Sequence, residues 1–235
     1  IKIYEKYKNS CDNVYCFHSR FIQKDRIEKE EIILSKEKEN VPMVLIATQV
    51  IEVSLDIDFD VLFTENAPID AIIQRAGRIN RKREKEDSKV IVFKHTEVTE
   101  KFVYDKPDIL QNTFNIFKKN NNKRLTEKDL IEFVEEVYKD YNVENDEWYK
   151  TGLSIYSEIQ GHNNYILDNS GDDKIFTREG LDTINIIPNK FEEEISDVSY
   201  ENKVKYEVSI RKNFKVLQNR RKDKDGFFIL DKCEY

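Results

Sequence analysis

The octapeptide QRAGRINR, residues 74–81, carries guanidinium groups at Arg75, Arg78 and Arg81, in steps of three. Three residues turn a helix by about 300°, so on a helix these side chains would fan over one side. A guanidinium fork matches phosphate oxygens two at a time. An arginine aimed at a γ-phosphate stabilises charge that builds up during transfer and is worth a rate factor of roughly 10³ or more. Gly77 would let a backbone or a nucleotide approach closely. Taken alone, the pattern fits a solvated basic face as well as a phosphate clamp.

Two upstream clusters bear on that choice. HSRF, residues 18–21, follows an apolar run and offers Ser19 and Arg20 to a phosphate backbone. ATQVIEVSLDIDFD, residues 47–60, follows a second apolar run. There Thr48 and Gln49 stand at a strand end, where a hydroxyl and backbone amides can meet a phosphate. Asp56 and Asp58 precede a third run; a carboxylate there can hold a ribose hydroxyl, orient an arginine, or simply decorate a turn. His18, His95 and His162 have no ligand spacing among them, so no metal site is expected.

The elements that must position these residues are legible as pattern. VYCF (14–17), MVLIA (43–47), VLFT (61–64) and VIVF (90–93) are short runs rich in β-branched residues, the mark of fully buried strands. Residues 23–39 read as a charged helix. Pro68 should open another, at a position where proline is tolerated, and this helix is expected to continue through the arginines. Strands alternating with helices imply right-handed crossovers and a parallel sheet, with ligands at the carboxyl ends of the strands. That is where the three clusters fall. Beyond residue 100 come helices. DILQNTFNIFKK is one candidate. LTEKDLIEFVEEVYKDY is a second, with Thr126 and Asp129 spaced for a capping box and a stripe of Leu130, Phe133, Val134, Val137 and Tyr141. Trp148, Ile155 and Ile159 suggest a third. From Tyr165 the pattern turns to strands, broken at DNSGDD and IIPN. KVKYEVSI reads as an antiparallel strand and DKDGFFIL as a turn followed by a strand. The expected organisation is α/β: a parallel-sheet domain over 1–100, a helical linker over 101–160 and a small α+β domain over 161–235.

Composition narrows the function. The net charge of −7 argues against nucleic-acid binding by bulk charge, so any such binding must use local patches. One patch is visible: residues 203–224 hold nine Lys or Arg against Glu207 and Asp223. Residues 127–147 have the opposite bias, with nine acids against Lys128 and Lys139. Most charge runs are solvated faces. Cys11, Cys16 and Cys233 are odd in number and lack C-x-x-C spacing, which fits free thiols in a reducing cytoplasm better than a disulfide scaffold or a zinc site. Apolar runs are far too short for a membrane span, and no signal peptide is seen.

The order of the clusters is more specific than any one of them. A strand then H-S-R-F, a strand then T-Q-V-I-E-x-S-L-D-I-D-F-D, then Q-R-x-G-R-x-x-R resembles motifs IV, V and VI of superfamily 2 helicases, which lie in the second RecA-like domain. SLDIDFD followed by APIDAIIQRAGR resembles more narrowly the CRISPR-associated helicase-nuclease of type I systems. The resemblance is strong over residues 14–81 and loose beyond. It implies that Arg78 and Arg81 reach an ATP γ-phosphate as arginine fingers. Gln74, Arg75, Ser54 and Asp56 would lie on the nucleotide side, with Ser54 where many relatives have glycine. Ser19, Arg20, Thr48 and Gln49 would lie on a single-stranded DNA track.

The implied partners are single-stranded DNA, an RNA-guided surveillance complex, and upstream helicase and nuclease domains of the same protein. No G-x-x-x-x-G-K-[ST] loop, no D-E-x-H or D-E-x-D box and no nuclease metal set occurs in the sequence. Magnesium would therefore be held by a first RecA-like domain, and the chain read alone is half of a motor, expected to be inactive by itself. Two rival readings stay open: a superfamily 2 helicase fragment outside CRISPR, and a non-catalytic nucleic-acid or partner-binding module.

Overall fold

The four apolar runs form β1 (Val14–Phe17), β2 (Val44–Ala47), β3 (Val61–Glu65) and β4 (Lys89–Phe93), within a residue of the expected bounds. The structure is a computed structural model and describes residues 1–104, 106–162, 183–211 and 219–230. β1 pairs with β2 in parallel, Val14 opposite Val44, and β3 pairs with β4 in parallel, Val61 opposite Lys89. A parallel pair needs a long crossover. Between β1 and β2 that crossover is the helix Gln23–Lys38, and between β3 and β4 it contains the helix Ile69–Ala76. Counting from the short N-terminal helix α1 (Lys2–Tyr7), these two are α2 and α4, with the single-turn α3 (Ile51–Ser54) between them.

The expected continuation of α4 through the arginines does not occur. Pro68 does precede the helix, but α4 ends at Ala76 with Gly77 as its C-cap. Three features stop it. Glycine is a poor interior helix residue. Asn80 takes the left-handed conformation, with φ 49°. Between them, Phe59 and Ile79 form an isolated bridge, in which Phe59 N–H donates to Arg78 O at 2.9 Å and Asn80 N–H donates to Phe59 O at 3.0 Å. Only Arg75 is helical; Arg78 and Arg81 stand on the turn that follows. A Cβ on Gly77 would lie 3.3 Å from Gln74 O, so this glycine serves the helix end.

Burial is organised around the first strands and α4. Phe17, Ile33, Leu55 and Ile57 make one buried cluster, placing α2 and the segment after α3 against β1. Ala67, Ala71 and Ile72 make a second, flanked by Val92, Tyr104 and Phe117. Downstream come α5 (Glu97–Phe102), α6 (Pro107–Lys119) and α7 (Glu127–Tyr138). The capping box on α7 is formed: Thr126 N–H donates to Asp129 Oδ2 at 2.7 Å and Asp129 N–H to Thr126 Oγ1 at 3.3 Å. Phe133 and Val137 are its buried residues. Tyr141 lies beyond the helix, with its ring against Tyr138.

The chain divides into two compact units, Ile1–Val137 with Thr183–Tyr235, and Tyr138–Asp182. In the second, a 3-10 turn Val143–Asn145 leads into α8 (Glu147–His162), and the Asn142 side chain accepts Glu144 N–H at 2.9 Å. The side chains of Trp148, Ile155 and Ile159, and the strands expected between Tyr165 and residue 182, lie outside the described residues.

In the first unit, β5 (Thr183–Pro188) runs through the expected break at IIPN and ends on its proline. KVKYEVSI is only half a strand. Lys203 closes a helix, Val204–Tyr206 make a 3-10 turn, and β6 is Val208–Arg211, antiparallel to β5 as expected. The two helical turns before it are α9 (Glu192–Ile195) and α10 (Tyr200–Lys203). With β7 (Arg220–Lys222) and β8 (Phe228–Leu230) the order is β6-β5-β8-β7. The alternation fails at Lys203 because its side chain is buried, with Nζ 2.8 Å from Asp223 and 2.5 Å from Asp225. Gly226, at φ 91°, makes the turn into β8 where a side chain would be strained.

The core of this sheet includes Ile22, only 3% exposed, from the start of α2. Lys24, on the same turn, donates to Glu194 and to the Tyr206 hydroxyl, both at 3.3 Å.

Candidate nucleotide and nucleic-acid site

The segment after β2 and the turn after α4 are bound together side chain by side chain. Asp58 Oδ1 accepts Arg81 N–H at 2.9 Å, and its Oδ2 lies 3.4 Å from Lys82 N–H. Lys85 adds an ammonium, 3.5 Å from Asp58 and 3.0 Å from Asp60. Burial opposes ionisation of Asp58, but the two amides and the ammonium outweigh it and hold its pKa below the ordinary 3.8. Asp56, far more exposed, pairs with the Arg81 guanidinium at 2.6 Å. The two aspartates thus divide the labour: Asp58 fixes the backbone and Asp56 the side chain of one arginine.

Arg78 lies against α3, its Nη2 donating to Glu52 O at 2.6 Å. Its Nε is buried and has no hydrogen-bond partner among the described residues. Arg75 is held from several sides. Its Nε donates to Glu52 Oε1 at 2.7 Å, its Nη1 to Thr64 Oγ1 at 2.9 Å and its Nη2 to Tyr104 Oη at 2.9 Å. The side chains of Arg75 and Glu52 are each 13% exposed, so Arg75 is a brace between α3, β3 and α4 and not a loose surface cation. Gln74 points to solvent one position before it. The side chain of Ser54, the last residue of α3, lies outside the described residues.

At the ends of β1 and β2, Ser19, Arg20 and Thr48 line one open groove of about 460 Å³, with His18 and the start of α1. His18 is buried and stacks on Phe21, centroids 4.1 Å apart, while its Nδ1 accepts Arg20 N–H at 3.1 Å. Burial, and then positive charge nearby, keep its pKa below 6.5. The neutral ring is therefore available as the acceptor that shapes the Ser19–Arg20 turn. Gln49 stands apart from that groove, its Nε2 donating to Tyr104 Oη at 2.9 Å. Among the described residues no group of three His, Cys, Asp or Glu could hold a metal ion. No described helix is long and apolar enough to cross a membrane.

The sequence pattern assigns no site role to Glu52, Thr64, Lys85 or Tyr104, whereas Asp58, a candidate to orient an arginine, fixes the backbone of Arg81. Glu52 and Asp58 sit inside the quoted motif, but only the fold reveals which arginine each one meets. Tyr104 gives no signal at all, lying in an unremarkable stretch after α5.

Residues 1–84 match the family model described as CRISPR-associated nuclease/helicase Cas3, C-terminal. A putative CRISPR-associated nuclease/helicase Cas3 of Methanocaldococcus jannaschii is 40% identical over 147 residues, 59% of this chain and 20% of the relative. The Escherichia coli K12 CRISPR-associated endonuclease/helicase Cas3 is 44% identical over 81 residues, 33% of this chain and 9% of the relative. The crystal structure of T. fusca Cas3 with AMPPNP has the same fold over 97% of this chain and 33% of its own, with TM-score 0.66 at 17% identity. Over residues 1–84 the chain is similar to the C-terminal part of the CRISPR-associated nuclease/helicase Cas3. A structure described as a CRISPR RNA-guided surveillance complex, pre-nicking, also shares the fold, with TM-score 0.60 at 18% identity over 97% of this chain and 35% of that one. This Cas3-like region spans at most about a fifth of the curated relatives just named. The match covers Glu52, Asp56, Asp58, Arg75, Arg78 and Arg81 of the network and stops short of Lys85 and Tyr104.

Proposed function

We propose that this chain is the C-terminal half of an ATP-dependent single-stranded DNA translocase acting in CRISPR interference, and that it supplies arginine fingers and part of the DNA track. The observation that carries the proposal is the joining of the two motifs. Arg78 and Arg81 stand on one turn, and that turn is held to residues 52–58 by Glu52 O, Asp56 and Asp58. Such fixing lowers the reorganisation needed when a charged group arrives.

ATP, as substrate, brings a γ-phosphate that accumulates charge as its bond to the β-phosphate breaks. Arg78 has a buried Nε in search of an acceptor, and Arg81 holds its guanidinium at the surface on an exposed carboxylate; both fit a phosphate ligand. Arg75 braces the helix behind them, and Gln74, Ser54 and Asp56 would serve the nucleotide side. A first RecA-like domain upstream would bring the phosphate loop and the magnesium ligands.

Ser19, Arg20 and Thr48, sharing one groove, would grip the phosphate backbone of a single strand largely without regard to sequence. Gln49 would extend the track. Cleft closure would then alternate with a shift of that grip, and the surveillance complex would deliver the strand in the cytoplasm.

The test is ATP hydrolysis with single-stranded DNA, measured for this chain alone and after mixing with the upstream half. Silence alone with turnover on mixing supports a split motor. Turnover by the chain alone would overturn it.

A further inference from the structure

Tyr104 lies beyond the 84 residues that the family model covers, yet its phenol joins two groups given different work above. Tyr104 Oη accepts Gln49 Nε2–H and Arg75 Nη2–H, each at 2.9 Å. A phenolic oxygen has two lone pairs, so both acceptor positions are occupied by these donors. The ring packs beside Ala67, Ala71 and Ile72, which places the oxygen independently of either donor. Beyond Arg75 the bonds continue. Arg75 donates to the Glu52 carboxylate, and the main-chain carbonyl of the same Glu52 accepts from Arg78. A continuous path, Gln49–Tyr104–Arg75–Glu52–Arg78, thus runs from the exposed end of β2 to the turn that carries the fingers.

We propose that Tyr104 is a positioning residue that couples single-stranded DNA at Gln49 to the arginine turn; this rests on the translocase reading above. A strand that engages the Gln49 amide changes its hydrogen bond to Tyr104 Oη. Arg75 is then the other donor on that oxygen, and its two remaining arms hold Glu52 and Thr64. The phenol transmits because it is shared: with the hydroxyl removed, Gln49 and Arg75 no longer have an atom in common. Coupling of this sort is a free energy between sites and is measured as such, not read from proximity.

The experiment uses the full-length protein and follows ATP hydrolysis against concentration of a single-stranded oligonucleotide, together with the melting temperature. Tyr104→Phe keeps the ring and removes the oxygen. The expected result is a drop of roughly fivefold or more in the rate at saturating DNA, the low end of ordinary allosteric coupling. Half-saturating DNA and melting temperature should stay near wild type. Gln49→Ala combined with Tyr104→Phe should be no slower at saturating DNA than the slower single variant. The coupling is overturned by a wild-type rate at saturation, by a loss that tracks a lowered melting temperature, or by additive effects in the double variant. A shifted half-saturation with an unchanged maximum would make Tyr104 a direct DNA contact and also overturn it. Arg78→Ala, run alongside, separates the two claims. If it keeps full hydrolysis the translocase reading itself fails; if it abolishes hydrolysis while Tyr104→Phe behaves as wild type, only the coupling fails.

Discussion

The Asp58 carboxylate accepts the main-chain N–H of Arg81 at 2.9 Å, so an acid in one motif sets the backbone of an arginine in another. The Asp58 side chain is 5% exposed, while the bond opens to solvent on the Arg81 side. Asp58→Ala should cost about 0.5–1.5 kcal/mol, the net worth of an ordinary hydrogen bond whose freed donor can turn to water. In the full-length protein it should lower hydrolysis more than it lowers DNA affinity. A thermal melt and a hydrolysis assay on the same preparation check both parts.

The same group gives a pH dependence. Its folded pKa lies below the ordinary 3.8, so its stabilising contribution is complete above 3.8 and is lost as pH falls through the folded value. Asp58→Asn should flatten that part of the acid limb in urea denaturation curves taken across the range. An acid limb identical to wild type would remove Asp58 from the account.

Arg78→Ala in the full-length protein should lower ATP turnover by roughly 10³ or more, the usual worth of an arginine finger. Single-stranded DNA affinity should stay nearly unchanged. Lysine should not restore turnover, because a single ammonium cannot serve the Glu52 carbonyl and a phosphate with the fork geometry of a guanidinium. Normal turnover with lost DNA binding would reverse the assignment.

Arg20→Ala should weaken single-strand binding and reduce the slope of log affinity against log salt by about 0.7, the share of one phosphate contact. Fluorescence anisotropy over a salt series measures the slope. An unchanged slope takes Arg20 off the track and leaves Ser19 and Thr48 as neutral contacts.

Lys203, 2% exposed between Asp223 and Asp225, should be the most sensitive single position of the C-terminal sheet. Lys203→Met leaves two carboxylates facing a buried methyl group and should destabilise by about 3 kcal/mol or more. Hydrogen bonds to Asp223 and Asp225 raise the lysine pKa above 10.5. Its contribution is therefore complete below 10.5 and is lost as pH rises through the folded value. Guanidinium melts of both proteins at neutral and strongly alkaline pH should converge; constant separation would refute the ion pair.

Strands were legible where apolar runs were short and bounded, but the full burial expected of them fails: β4 is largely exposed, and Phe63 and Phe93 are 66% and 54% exposed. The capping box on α7 was legible because its two partners are three residues apart. What else failed did so for reasons of distance in sequence. The helix through Arg78 looked sound from spacing alone; it is ended by a bridge to Phe59, 20 positions away from Ile79. KVKYEVSI alternates well, and only the carboxylates of a later turn explain why Lys203 leaves the strand. The motif residues could be named from their order, whereas their partners could not. Glu52 meets Arg75 across 23 positions and Tyr104 meets Gln49 across 55, and no local pattern encodes either meeting.

Ile22 and Lys24 belong by sequence to the segment after the Ser19–Arg20 turn, yet they are seated in the C-terminal sheet. Chimeras between relatives must respect this. Grafting a foreign tail from residue 183 onward would confront Ile22 with a core it was not shaped for and would strand the Lys24 ammonium. The graft would succeed only if positions 22 and 24 travel with the tail. The exchangeable cassette is therefore discontinuous, two stretches of chain that must be inherited together.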